Sequence, residues 1–206
     1  MADDSPPIVI ELHDGIAVLR FNRPAKRSPL STSTLHDLEI KFSRLMVLPN
    51  IAVIVFTGTA DVFASGADLR EISQLDHSSA LEFSHLGQRV FQTISNAKQL
   101  TIAAINGYCM GGALDLALAC DIRVASKSAV FSHPGARLGI MTGWGGTQRL
   151  PRIIGHGRAI ELFATARRLN SEEARSIGLV ARVEDPILAC ALDISHAYQL
   201  QVPPDR

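Results

Sequence analysis

The 206-residue chain is 47% hydrophobic and 19% charged, and its 20 acidic residues balance 20 basic ones. That is enough chain for one globular domain around a single substantial core, and a net charge of zero with no block of like sign excludes the basic face of a nucleic-acid binder. No apolar run approaches the ~20 residues that cross a bilayer, and the acidic start MADDSPPIVI lacks the basic-then-apolar pattern of a secretory signal. Cys109, Cys120 and Cys190 are odd in number and lack metal-type spacing, which fits buried free thiols in a reducing compartment. The expectation is a cytoplasmic protein with neither nucleic acid nor membrane as partner.

In chain order, Ile8–Leu12 and Ile16–Phe21 are short apolar runs joined by His13-Asp-Gly15, an Asp-Gly hairpin signal. A loop rich in Pro, Lys and Arg runs from Asn22 to Pro29. Ser31 or Ser33 caps a helix carried by Leu35, Leu38, Phe42 and Leu45, which recur at helical spacing. Ile51–Thr57 is a continuous β-branched run ended by Gly58, read as a parallel strand buried on both faces. Ala80–Ile94 is a second amphipathic helix, Thr101–Ile105 a second buried strand, and an apolar helix begins at Gly111-Gly112. Short strands follow at Ile122–Ala125 and Ala129–Phe131, then a glycine-rich loop from Gly139 to Gly146 that leads into a helix. Further helices are expected at Gly157–Ala166 and at Ser171–Ile177, with Ser171 as N-cap, then a strand at Val180–Val183 and a helix at Pro186–Leu200. Strands alternating with helices make the fold class α/β.

Two strand-to-helix junctions invite chemistry: Phe63-Ala-Ser-Gly-Ala-Asp-Leu69 and Gly107-Tyr-Cys-Met-Gly-Gly112. Small residues there let backbone N–H groups approach a ligand, and a helix N-terminus adds partial positive charge. Two such groups aimed at one point would form an oxyanion hole for a carbonyl; tight turns and close helix packing alone would also explain the glycines. The second junction does not fit the G-x-G-x-x-G spacing of a dinucleotide site. Asp115, a lone carboxylate in the apolar helix, is either a site residue or a buried structural acid held by a neighbouring loop.

Taken together these segments resemble the crotonase superfamily of enoyl-CoA hydratases and isomerases. The resemblance rests on Phe21-Asn-Arg-Pro24, Val55-Phe-Thr-Gly58, the two junctions, Ala119-Cys-Asp-Ile-Arg123, Gly145-Gly-Thr-Gln-Arg-Leu150 and Ala174-Arg-Ser-Ile-Gly-Leu-Val180. It implies a spiral of ββα units, assembled as a homo-trimer or a dimer of trimers, that binds an acyl-CoA thioester and needs no cofactor beyond the coenzyme A of its substrate. By position, the N–H groups of Ala67 and Gly112 form the oxyanion hole, and Ala67, Asp68, Leu69 and Arg70 line the acyl-CoA site. Lys26 and Arg27 are either contacts for the CoA phosphates or part of a solvated basic loop, and Asp68 either touches the ligand or caps the helix it begins. No metal is implied.

The resemblance breaks at two places. Hydratases of the family use two glutamates; the first position is Asp115 here, one methylene shorter by ~1.5 Å, and the second, after His133-Pro134, is Gly135. A displacement of that size can cost ~100-fold in rate, and Gly135 offers no carboxylate. His133, Arg137, Thr142 and Trp144 are the remaining candidates nearby, although strand alternation points His133 away from the direction of Gly135. Trp144 is expected to pack beside the acyl pocket. The chain reads as a crotonase-like core over 1–185 followed by a shortened C-terminal helical segment over 186–206, which implies a pocket more open or covered by a neighbouring subunit. The leading expectation is hydration of a 2-enoyl-CoA; isomerisation, decarboxylation or thioester hydrolysis through the same enolate, or acyl-CoA binding without catalysis, are the alternatives.

Overall fold

The computed structural model describes residues 5–201. In chain order the elements are β1 (Ile8–His13), β2 (Ile16–Phe21), a 3-10 turn (Pro24–Lys26), β3 (Pro29–Leu30), α1 (Thr32–Met46), β4 (Val53–Thr57), β5 (Val62–Ala64), β6 (Gly66–Ala67), α2 (Leu69–Ile72) and α3 (His77–Ser95). There follow β7 (Leu100–Ile105), β8 (Tyr108–Met110), α4 (Gly112–Ala119), β9 (Ile122–Ala125), β10 (Val130–Ser132), α5 (Gly135–Leu138), α6 (Gly146–Ile154) and α7 (His156–Thr165). The described chain closes with β11 (Leu169–Asn170), α8 (Ser171–Ser176), β12 (Arg182–Val183) and α9 (Ile187–Gln199).

A six-stranded sheet runs β1-β2-β4-β7-β9-β12, and a smaller one runs β11-β10-β8-β5. Only the pairs β1/β2 and β10/β11 are antiparallel; the other pairs in these two sheets are parallel. The chain therefore advances by repeating one step. A strand joins the large sheet (β4, β7, β9), the next joins the small sheet (β5, β8, β10), and a helix returns over both, so the fold is a spiral of ββα units. The corners of this spiral are tight. A methyl group on Gly107 would lie 1.9 Å from the Asp61 carbonyl, and Asn106 locks adjacent corners by accepting from the Gly58 amide at 2.9 Å and donating to the Ala60 carbonyl at 2.8 Å.

Both faces of the large sheet are covered, which explains the unbroken apolar run of β4. Ile54 and Phe56 face the inner core under α1, α3 and α4, with Phe56 stacked on Phe42 at 5.8 Å. Val53 and Val55 face the other way, where Ile187, Cys190 and Ala191 of α9 cover them. Helix α9 thus completes the second face of the sheet. Each such side chain contributes roughly 1.5–3 kcal/mol by leaving water. All three cysteines are buried free thiols.

Sequence expectations for the long elements hold to within a few residues, and Ser31 is the α1 N-cap, accepting from the Thr34 amide at 3.2 Å. Two differ. The N-cap of α8 is Asn170, which accepts from Glu173 at 2.8 Å, while the Ser171 hydroxyl instead donates to the Lys127 carbonyl. The two glycine-bearing junctions are not plain loops, because each contains a strand of the small sheet (β5 and β8), too short for periodicity to reveal.

Candidate active site

The junctions meet at a cavity of about 320 Å³. One wall is β6 and the start of α2, through Ala67 and Leu69; a second is the N-terminus of α4, through Gly111 and Gly112; the third is the segment from His133 to Trp144. Ile72, Leu75, Phe83 and Met141 make the interior largely apolar. β6 lies directly against the first turn of α4, so that a methyl group on Gly66 would sit 2.8 Å from the Gly112 nitrogen. The first amides of a helix have no intrahelical acceptor, so α4 presents N–H donors to this wall.

Two different demands explain the paired glycines. Gly111 sits at φ 53°, ψ −121°, outside the regions open to a residue with a side chain. Gly112 is needed for space, since a Cβ there would lie 2.3 Å from the Trp144 ring. The indole wedges between α4 and α3, where Gly87 leaves an equivalent gap; it meets Phe83 and Phe91 edge-on at 5.1 and 5.6 Å and donates to the Phe83 carbonyl at 3.3 Å. Trp144 is a packing residue beside the pocket, as the sequence suggested.

Asp115 is wholly buried in the first half of α4. The Thr142 hydroxyl donates to its Oδ2, while its Oδ1 lies 3.3 Å from His133 Nε2 in an alignment too poor for a hydrogen bond. Burial pushes the carboxyl up to about 7, against the opposing pull of Thr142, the Arg149 guanidinium and the amides of Trp144 and Gly146. Burial likewise pushes His133 down to about 4, so the imidazole is neutral near pH 7. Gly146 keeps the carboxylate's place, because a Cβ there would meet Asp115 Oδ1 at 2.0 Å. Asp115 itself does not reach the cavity wall, whereas His133 and Thr142, which touch it, do.

The expectation that His133 points away from Gly135 fails. Residue 133 follows the end of β10 and its strict alternation, and both residues line the cavity. Gly135 begins α5, and a Cβ on it would lie 2.4 Å from the Ile140 carbonyl, because the loop folds back to donate the Ile140 amide to the Gly135 carbonyl at 3.0 Å. The missing second carboxylate is therefore built into the backbone, which leaves no room for a side chain there.

Of the other residues singled out, Asp68 caps α2 by accepting from the Arg70 amide at 2.9 Å, and the Arg70 side chain is exposed. Lys26 and Arg27 are exposed, yet their loop is tied to the site, since the Arg27 carbonyl accepts from the Ser65 amide at 3.0 Å and Ser65 lines the cavity. The Arg27 guanidinium lies 5.5 Å over the Tyr108 ring. Arg137 is exposed on α5. The contacts of Thr142, His133 and Gly146 with Asp115 were not legible in sequence, where Gly145-Gly146 reads only as the end of a glycine-rich loop. Among the described residues no cluster of His, Cys, Asp and Glu has metal-binding geometry, and no helix is long and apolar enough to cross a membrane.

The spiral of ββα units, with a largely apolar cavity where two strand-to-helix junctions meet, defines the class of proteins. The enoyl-CoA hydratase/isomerase family model matches residues 11–189, and the chain belongs to that family. It is 40% identical over 180 residues to crotonyl-CoA hydratase of Syntrophomonas wolfei, covering 87% of this chain and 69% of that protein. Against short-chain-enoyl-CoA hydratase of Clostridium acetobutylicum the identity is 35% over 180 residues, with the same coverage. The crystal structure of an enoyl-CoA hydratase from Bacillus anthracis superposes with a TM-score of 0.92 at 32% identity, covering 97% of this chain and 78% of that one.

Proposed function

We propose that this chain hydrates a 2-enoyl-CoA thioester, with the N–H groups of Ala67 and Gly112 holding the thioester oxygen as it takes up charge and Asp115 serving as the principal carboxylate. The observation that carries the reading is the contact of β6 with the N-terminus of α4 at one wall of an apolar cavity. Donors fixed before reaction stabilise an enolate without reorganising, a contribution of roughly 3–4 kcal/mol per donor in comparable sites. The names of the relatives, crotonyl-CoA hydratase and short-chain-enoyl-CoA hydratase, support a short acyl group. Lys26 and Arg27, on a loop bonded to the cavity rim at Ser65, are suited to the CoA phosphates, and Asp68, Leu69 and Arg70 flank the same rim. Family resemblance supports a cytoplasmic homo-trimer or dimer of trimers, with no cofactor beyond the substrate's coenzyme A.

Hydration is read by loss of the conjugated enoyl-thioester absorbance of crotonyl-CoA. Asp115→Asn is expected to lower turnover about 100-fold or more; unchanged turnover would refute the assignment. Gly135, with no space for a carboxylate, favours a second reading in which the chain binds acyl-CoA without converting it. Tight binding with no turnover of enoyl-, 3-enoyl- or malonyl-CoA would establish that alternative.

A further inference from the structure

Among the residues lining the cavity, His133 is the one titratable group. It stands between the cavity and Asp115, which is fully buried behind it. The facing atoms, His133 Nε2 and Asp115 Oδ1, are both buried without a hydrogen-bond partner, a state that is costly for each and that one proton held between them would relieve. We infer that His133 is the catalytic acid–base residue of this site and that Asp115 acts through it as a positioning carboxylate, a His–Asp pair standing in for two carboxylates. This rests on the hydratase reading for its substrate and deepens it.

The chemistry balances with groups already present. With the pair aligned, His133 Nε2–H donates to Asp115 Oδ1, which fixes the tautomer and leaves Nδ1 with a lone pair. Nδ1 takes a proton from water as the water oxygen bonds to the β-carbon, and the alkene electrons move onto the thioester oxygen held by Ala67 and Gly112. The enolate then collapses, its α-carbon taking the proton back from the imidazolium, so that one water has been added and the imidazole restored. An imidazolium beside a buried carboxylate is stabilised by its charge. The other titratable groups around the pair are Arg149, which favours the carboxylate, and the buried thiol of Cys109, which stays protonated. Gly135 fits this arrangement, because with no side chain it leaves the wall beside His133 open.

The test measures crotonyl-CoA hydration and exchange of the α-hydrogens of butyryl-CoA with D2O, for the wild type, His133→Gln and His133→Ala. Trp144 emission and butyryl-CoA affinity verify that each variant is folded. The expected result is a kcat loss of about 100-fold or more with KM within roughly threefold in His133→Gln, and recovery of His133→Ala by added imidazole, which a purely structural histidine would not show. Wild-type kcat in His133→Gln overturns the inference and leaves the hydratase reading standing. Should the wild type exchange α-hydrogens in a His133-dependent way without hydrating crotonyl-CoA, the hydratase reading fails and the pair's role stands. Absence of both activities in a wild type that binds butyryl-CoA overturns both.

Discussion

Replacing Asp115 by Asn should stabilise the protein in a strongly pH-dependent way. The carboxyl is fully buried and sits at about 7 in place of its ordinary 3.8. Between those pH values the folded protein keeps a proton that the unfolded chain has released, so stability falls as pH rises, by about 1.4 kcal/mol per pH unit. Across the window this amounts to about 4 kcal/mol lost by pH 7. His133 works in the opposite sense. Burial holds it at about 4 against an ordinary 6.5, so the unfolded chain takes up a proton that the folded one refuses, and stability falls as pH drops through that window, by about 3 kcal/mol. In the wild type the two slopes nearly cancel between about pH 4 and 6.5. An Asn side chain retains an oxygen for Thr142 and offers an N–H to His133 Nε2 without charge. Urea unfolding of both proteins at pH 4, 5, 6 and 7, at one fixed protein concentration, should give near-equal stability at pH 4 and an advantage for Asp115→Asn that grows to about 4 kcal/mol at pH 7. A difference that does not change with pH would refute the burial argument.

The remaining expectations follow from the same site. His133→Gln should unmask the carboxyl alone, so its stability should fall as pH rises from about 4 to 6.5, where the wild type stays level. Gly135→Glu, which restores the family's second carboxylate, should not raise kcat and should cost about 1–3 kcal/mol in urea unfolding, because its Cβ meets the Ile140 carbonyl at 2.4 Å. Gly112→Ala should displace the Trp144 ring, 2.3 Å from the added methyl, shifting the emission of the single tryptophan and lowering kcat/KM. Removing both charges in Lys26→Ala/Arg27→Ala, on an exposed loop, should raise KM for crotonyl-CoA roughly tenfold at low salt and progressively less as salt screens the contact, while KM for the phosphate-free pantetheine thioester stays constant.

The sequence by itself determined the long elements, because their signals are local. The unbroken apolar, β-branched run up to Thr57 marks β4 as a two-faced strand, and Leu35, Leu38 and Phe42 mark α1, whose cap the sequence left between Ser31 and Ser33. It also determined that a carboxylate follows a glycine pair at a helix start and that Gly135 cannot supply a second one. The small sheet escaped it, since strands of two or three residues carry no period and are stabilised only by their neighbours in space. So did the cap of α8, which the sequence assigned to Ser171: that hydroxyl donates to the Lys127 carbonyl, and Asn170 caps the helix. Which of the site residues face one another is a matter of tertiary structure. Asp115, His133 and Thr142 come from α4, the end of β10 and the loop before α6, with Thr142 27 residues along the chain from the acid it holds. Chain pattern records which residues can be buried, but it does not record which distant side chain each buried polar group will face. Here that second fact puts a histidine, and no second carboxylate, between Asp115 and the cavity.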